Sequence, residues 1–82
     1  MASAQQQAKE LSDGIARARD LARRGDLQTA IGELESLADR SADPAPAIFE
    51  IGNLTKAAGL YDQAETAFRQ VMERYPGSIE AA

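Results

Sequence analysis

The chain has no cysteine, no histidine and no tryptophan among its 82 residues. Without cysteine, disulfides, thiolate metal sites and cysteine nucleophiles are excluded, and the sequence says nothing of its redox compartment. Without histidine, it lacks the usual general base near neutral pH, the serine–histidine–aspartate relay and the commonest metal ligand. Only carboxylates, hydroxyls, Lys and Arg remain for chemistry. Positive charge is short: nine Lys and Arg stand against 13 Asp and Glu, a net charge of −4, whereas a general nucleic-acid binder is normally basic. No apolar run approaches the ~18–20 residues of a membrane span. The opening residues, Met1 to Gln7, lack the basic-then-apolar order of a secretion signal. A cytoplasmic location is expected on those grounds.

Large apolar side chains are scarce as well. The hydrophobic fraction is 44%, but 17 of those 36 residues are Ala, which leaves 19 of larger size. A chain this short is one domain at most, and below ~70–80 residues a single core seldom supplies more than ~3–5 kcal/mol. Stability is expected from good helices, from neighbours, or from both.

What is present is a repeat. Sliding the chain against itself by 34 residues aligns Gly25 with Gly59, Leu27 with Tyr61, Ala30 with Ala64, Leu34 with Phe68 and Leu37 with Val71. Upstream, the same register aligns Ile15 with Phe49 and Ala18 with Gly52. No gap is needed, and each match keeps a type: turn glycine, small residue or large apolar residue.

Helical spacing predicts about four helices. The first is expected from Gln5 to Arg24, with Ala4, Ala8, Leu11, Ile15, Ala18 and Ala22 on one face. Gly25 ends it, and Arg23 and Arg24 suit the negative end of its dipole. Asp26 caps a second helix over Leu27 to Arg40, whose face is Leu27, Ala30, Ile31, Leu34, Leu37 and Ala38. Asp43 is the expected cap of a third helix with Pro44 at its first position, running to about Ala58 with Ile48, Ile51, Gly52 and Thr55 on one face. Gly59 stops it. The fourth spans Tyr61 to Tyr75, with Tyr61, Ala64, Phe68, Val71, Met72 and Tyr75 apolar. Pro76-Gly77 ends that helix, and Ser78 is placed to cap a fifth. Helices of this length joined by short turns pack as antiparallel hairpins. Gly52 and Ala64 fall where the third and fourth should cross, and Phe68 should fill the space beneath.

These residues resemble the tetratricopeptide repeat, a 34-residue helix–turn–helix unit with the pattern Trp, two residues, Leu-Gly, two residues, Tyr, then Ala, three residues, Phe, and finally Pro. The second unit reads Ile48, Ile51-Gly52, Thr55, Ala64, Phe68 and Pro76, with Ile for Trp and Thr for Tyr. The first matches at Gly25, Ala30 and Leu34 and departs where Gly14 and Arg17 stand in large apolar places. The resemblance implies an all-α superhelix of stacked hairpins: an extension over 1–10, one unit over 11–44, a second over 45–78, and the start of a further helix over 79–82.

The resemblance also implies a binding module whose first helices line a concave groove. The groove residues expected from it are Ser12, Ile15, Arg19, Ala22 and Arg23, with Phe49, Asn53, Lys56 and Ala57 from the second unit. Helical spacing holds each set to one side. Ile15 and Phe49 could hold an apolar side chain, Asn53 could bond a peptide backbone, and Arg19, Arg23 and Lys56 point to an acidic peptide or partner helix. The plain alternative is that these cations only solvate their helices. The carboxylate-clamp set of the family is met at Asn53 but not at Ile15, Arg19 or Phe49, so that specificity is not assigned.

Two further readings stay open. Two units leave apolar ends, so Tyr61, Met72, Tyr75 and Ile79 are candidates for self-association into a homo-oligomer. The module could instead be the N-terminal recognition arm of a larger enzyme such as a transferase. Catalysis by this chain is not expected. Glu33 and Glu35 point apart on a helix, Asp62 and Glu65 read as helix-start charge, and no phosphate loop exists. No cofactor or metal is expected. A nucleic-acid role for Arg17, Arg19, Arg23 and Arg24 is diluted by Glu10, Asp13, Asp20 and Asp26.

Overall fold

A computed structural model of the chain describes residues 4–75, with side chains from Lys9 onward. Four α-helices follow in order: α1 Ala4–Arg23, α2 Leu27–Arg40, α3 Ala45–Ala57 and α4 Tyr61–Arg74. There is no strand among the described residues. The fifth helix expected after Ser78 lies outside them.

The two hairpins α1–α2 and α3–α4 share one turn, repeated 34 residues apart. Gly25 and Gly59 both hold positive φ, +90° and +84°. The Gly25 N–H donates to Ala22 O at 3.0 Å and the Asp26 N–H to Leu21 O at 2.9 Å. In the second hairpin the Gly59 N–H donates to Lys56 O at 3.0 Å and the Leu60 N–H to Thr55 O at 2.8 Å. This is the Schellman closure, which satisfies carbonyls the helix end would leave orphaned. A Cβ at either glycine would meet nothing within 4 Å, so the demand for glycine is purely conformational. Gly59→Ala should therefore lower stability by roughly 1–2 kcal/mol, the cost of forcing an L side chain left-handed, measured as a shift in the urea midpoint at unchanged slope.

Helix starts differ more. The Asp26 carboxylate accepts from Thr29 N at 3.4 Å, as a cap should. At α3 the expected start moves by one residue: Pro44 takes the cap position, and the Asp43 carboxylate still accepts from Ala45 N at 3.4 Å.

The core lies between α1, α2 and α3. Ala18, Ala30, Leu34, Leu37 and Ala47 are buried together, with Leu11, Ile15, Ile51 and Leu54 packed against them. Small residues permit the close approach. A Cβ on Gly14 would fall 2.6 Å from Leu37 Cδ2, and one on Gly52 would fall 2.5 Å from Phe68 Cε1. The expected crossing of Gly52 over Phe68 is thus present, and Ala64 beside it is buried. On α4 the expected apolar face splits. Ala64 and Val71 are buried, joined by Ala67 from outside that face, whereas Tyr61 and Met72 stand in solvent. Among the described residues α3 is the helix packed on α4, and one neighbour covers one side of it.

Candidate binding cleft

α1 and α3 run side by side as the first helices of the two hairpins, and a cleft of about 800 Å³ opens between them. Its walls are Ala16, Arg19, Ala22 and Arg23 from α1 and Glu50, Leu54 and Ala57 from α3, closed at one end by Gly25 and Leu27. The volume falls in the ~300–1,000 Å³ range of ligand pockets. The lining is mostly Ala and Leu, so the chemistry it offers is apolar contact with a few fixed polar groups.

The most ordered of those groups is an ion pair that joins the hairpins. Arg19 Nε donates to Glu50 Oε2 at 2.8 Å, and Arg19 Nη2 donates to Glu50 Oε1 at 2.9 Å. This two-point geometry fits a planar guanidinium to a planar carboxylate. The Glu50 side chain is only 6% exposed and that of Arg19 60%, so the carboxylate is the buried partner. The hydrogen bonds from Arg19 to Glu50, then the charge of Glu50, raise the guanidinium pKa above its ordinary value, against a smaller lowering from desolvation. Arg19 uses two of its five N–H groups on Glu50, and the rest are unspent in that pair.

Of the residues expected in the groove, Arg19 and Arg23 line this cleft. Ser12 and Ile15 lie further along α1, beside Arg19 in a smaller depression of about 380 Å³. Ala22 and Ala57 are in the walls. Phe49, Asn53 and Lys56 are not: α3 presents Glu50, Leu54 and Ala57, one residue round from the expected row. The rotation has a physical cause. Gly52 must face Phe68 and Phe49 packs at a tilt on the same ring, with centroids 5.2 Å apart and the planes at 56°, while Ile51 and Leu54 pack toward the first hairpin. Asn53 and Lys56 are left exposed.

Electrostatics also shift from the expected picture. Arg19 is matched by Glu50, and Arg23 lies 3.3 Å from Asp20 Oδ1, whose second oxygen meets Arg24 at 3.0 Å. Two of the three expected groove cations therefore stand beside carboxylates of this chain. Glu50 itself was missed. Its signal was available: it is the lone charge in the stretch Ala45 to Thr55, and a charge inside an apolar run needs a partner.

Among the described residues no helix is long and apolar enough to cross a membrane. Compared with protein-family models, curated proteins and solved structures, the chain finds no match.

Proposed function

We propose that the chain is a non-catalytic binding module of the tetratricopeptide kind, which takes a peptide or a partner helix in the cleft between α1 and α3. The observation that carries the reading is the cleft: ligand-sized, lined by Ala16, Ala22, Leu27 and Leu54, and spanned by a pre-formed arginine–glutamate pair. An apolar side chain of the ligand fills it. Arg19, held in place by Glu50, offers its remaining N–H groups to ligand carbonyls, and an acidic flank on the ligand meets Arg23. Because Arg19 and Arg23 already have carboxylate neighbours, apolar fit contributes more than charge.

The test is selection of binders from a displayed random-peptide library, followed by affinity measurement against Ala16→Arg and Ala57→Arg. Both alanines are exposed on helix walls, so the variants should fold. Each should weaken binding at least about tenfold with unchanged thermal unfolding. A library that yields no binder, or binders indifferent to both variants, would remove the cleft as the site.

A further inference from the structure

The four exposed large apolar residues found among the described residues sit on one hairpin: Phe49 at 40%, Leu60 at 39%, Tyr61 at 67% and Met72 at 62%. The 34-residue register shows why α4 differs from α2. Tyr61, Phe68 and Met72 occupy the places of Leu27, Leu34 and Ala38. On α2 those places are buried or half-buried, with Leu34 and Ala38 in the core that α3 helps to build. On α4 the same places have larger side chains: Phe68 is half-buried under Gly52, and Tyr61 and Met72, to either side of it along the helix, have no helix over them among the described residues.

A second copy cannot cover the stripe by stacking head to tail. In that arrangement α1 of the copy would take the role of α3. The α3 residues that serve the interface, Ala47, Ile51 and Leu54, stand 34 positions after Asp13, Arg17 and Asp20. The corresponding face of α1 is therefore charged. Burying it on Tyr61 and Met72 would strand those charges. One end of the molecule is polar and the other apolar, which forbids an open array and favours a closed pair.

We infer that α4 is a homodimer surface, on which two copies pack the exposed Tyr61–Met72 side of their α4 helices antiparallel, about a two-fold axis that crosses that side midway between Tyr61 and Met72. The charges on α4 support this occupant. Glu65 and Arg69, paired with each other one turn apart, flank the stripe. An axis midway along that side sets Glu65 opposite the partner's Arg69, and within one residue it also sets Tyr61 opposite the partner's Met72. One axis thus matches the apolar and the charged rows together. The helix has 14 residues, about 21 Å at 1.5 Å per residue, so the contact lies at the small end of interfaces, under about 1,200 Å². The dimer should be weak and concentration-dependent.

Sedimentation equilibrium of the full chain, from micromolar to millimolar, tests this. The wild type should pass from monomer to dimer and stop there. Met72→Glu should weaken association at least about tenfold while leaving the helical circular dichroism intact. Glu65→Arg and Arg69→Glu should each associate poorly alone, through like charges across the axis, and should recover dimer when mixed with one another. A wild type that stays monomeric at every concentration overturns the proposal and leaves the stripe to a helix of another protein. A dimer untouched by Met72→Glu, or charge variants that show no mutual rescue, overturns it equally.

Discussion

Gly52→Ala should destabilise the protein, although alanine is the better helix former by about 1 kcal/mol. The new methyl would lie 2.5, 2.7 and 2.8 Å from three atoms of the Phe68 ring. That ring packs at a tilt against Phe49 on its own hairpin, so it must shift as a plate or push α4 away. Overpacking of this kind costs typically ~1–3 kcal/mol, which outweighs the gain in helix propensity. Gly52→Val adds two methyl groups beyond that of alanine at the same place and should cost about 3 kcal/mol or more. The whole stability of a chain this size is on the order of 4–12 kcal/mol. Two other helical glycines serve as controls. Gly32 has nothing within 4 Å of its ideal Cβ, so Gly32→Ala should stabilise by about 0.5–1 kcal/mol. Gly14 faces the methyl end of Leu37 at 2.6 Å, a flexible neighbour, and Gly14→Ala should fall between the two. Phe68→Leu should be less harmful in the Gly52→Ala background than in the wild type, because the smaller side chain makes room for the methyl. Urea denaturation of the set gives the ranking. Equal stability of Gly32→Ala and Gly52→Ala would show that the α3–α4 contact is not set by Gly52.

That close approach was legible in the sequence, and so were the bounds of α2 and both glycine turns. Each depends on local signals: a 34-residue register, a glycine where the backbone must turn left-handed, an apolar stripe on a helix with one covered side. The facing of α3 was not legible, for a reason visible in its composition. Ala45, Ala47, Ile48, Phe49, Ile51, Gly52, Leu54 and Ala57 run nearly round the helix, and a helix that is apolar on most sides carries no single stripe to orient it. Only the demands of two neighbours, Phe68 on one flank and the α1–α2 core on the other, choose its rotation. For Glu50 the apolar run around it signals the need for a partner, but not which one: Arg19 stands 31 residues earlier on the other hairpin. The cleft follows from these facts, since its α3 wall is whatever face the rotation leaves toward α1.

Arg19 and Glu50 should prove unequal when removed one at a time. Arg19→Ala leaves a carboxylate that is 6% exposed without the two N–H donors that hold it. Losing the partner of a fully buried charge costs ~3–5 kcal/mol. Here the pair is screened on the arginine side, so about 2–3 kcal/mol is expected. Glu50→Leu instead releases a guanidinium that is 60% exposed and already hydrated. It also removes the cost of burying a carboxylate, so it should be near neutral or mildly stabilising. The double variant Arg19→Ala/Glu50→Leu should regain most of what Arg19→Ala loses. The pH dependence has a definite sign. Since Glu50 raises the Arg19 pKa, the arginine's contribution is complete below its ordinary value and is lost only as pH climbs through the raised one. Stability carried by the pair is therefore insensitive to mild alkali. Chemical denaturation of the two singles and the double closes the cycle. Equal losses for both singles, with no recovery in the double, would mean that the pair holds the hairpins by direct attraction rather than by satisfying one buried carboxylate. Because the pair joins the two walls of the cleft, Arg19→Ala should also weaken any peptide held there, while Glu50→Leu keeps the walls packed but frees Arg19 to favour acidic ligands more strongly.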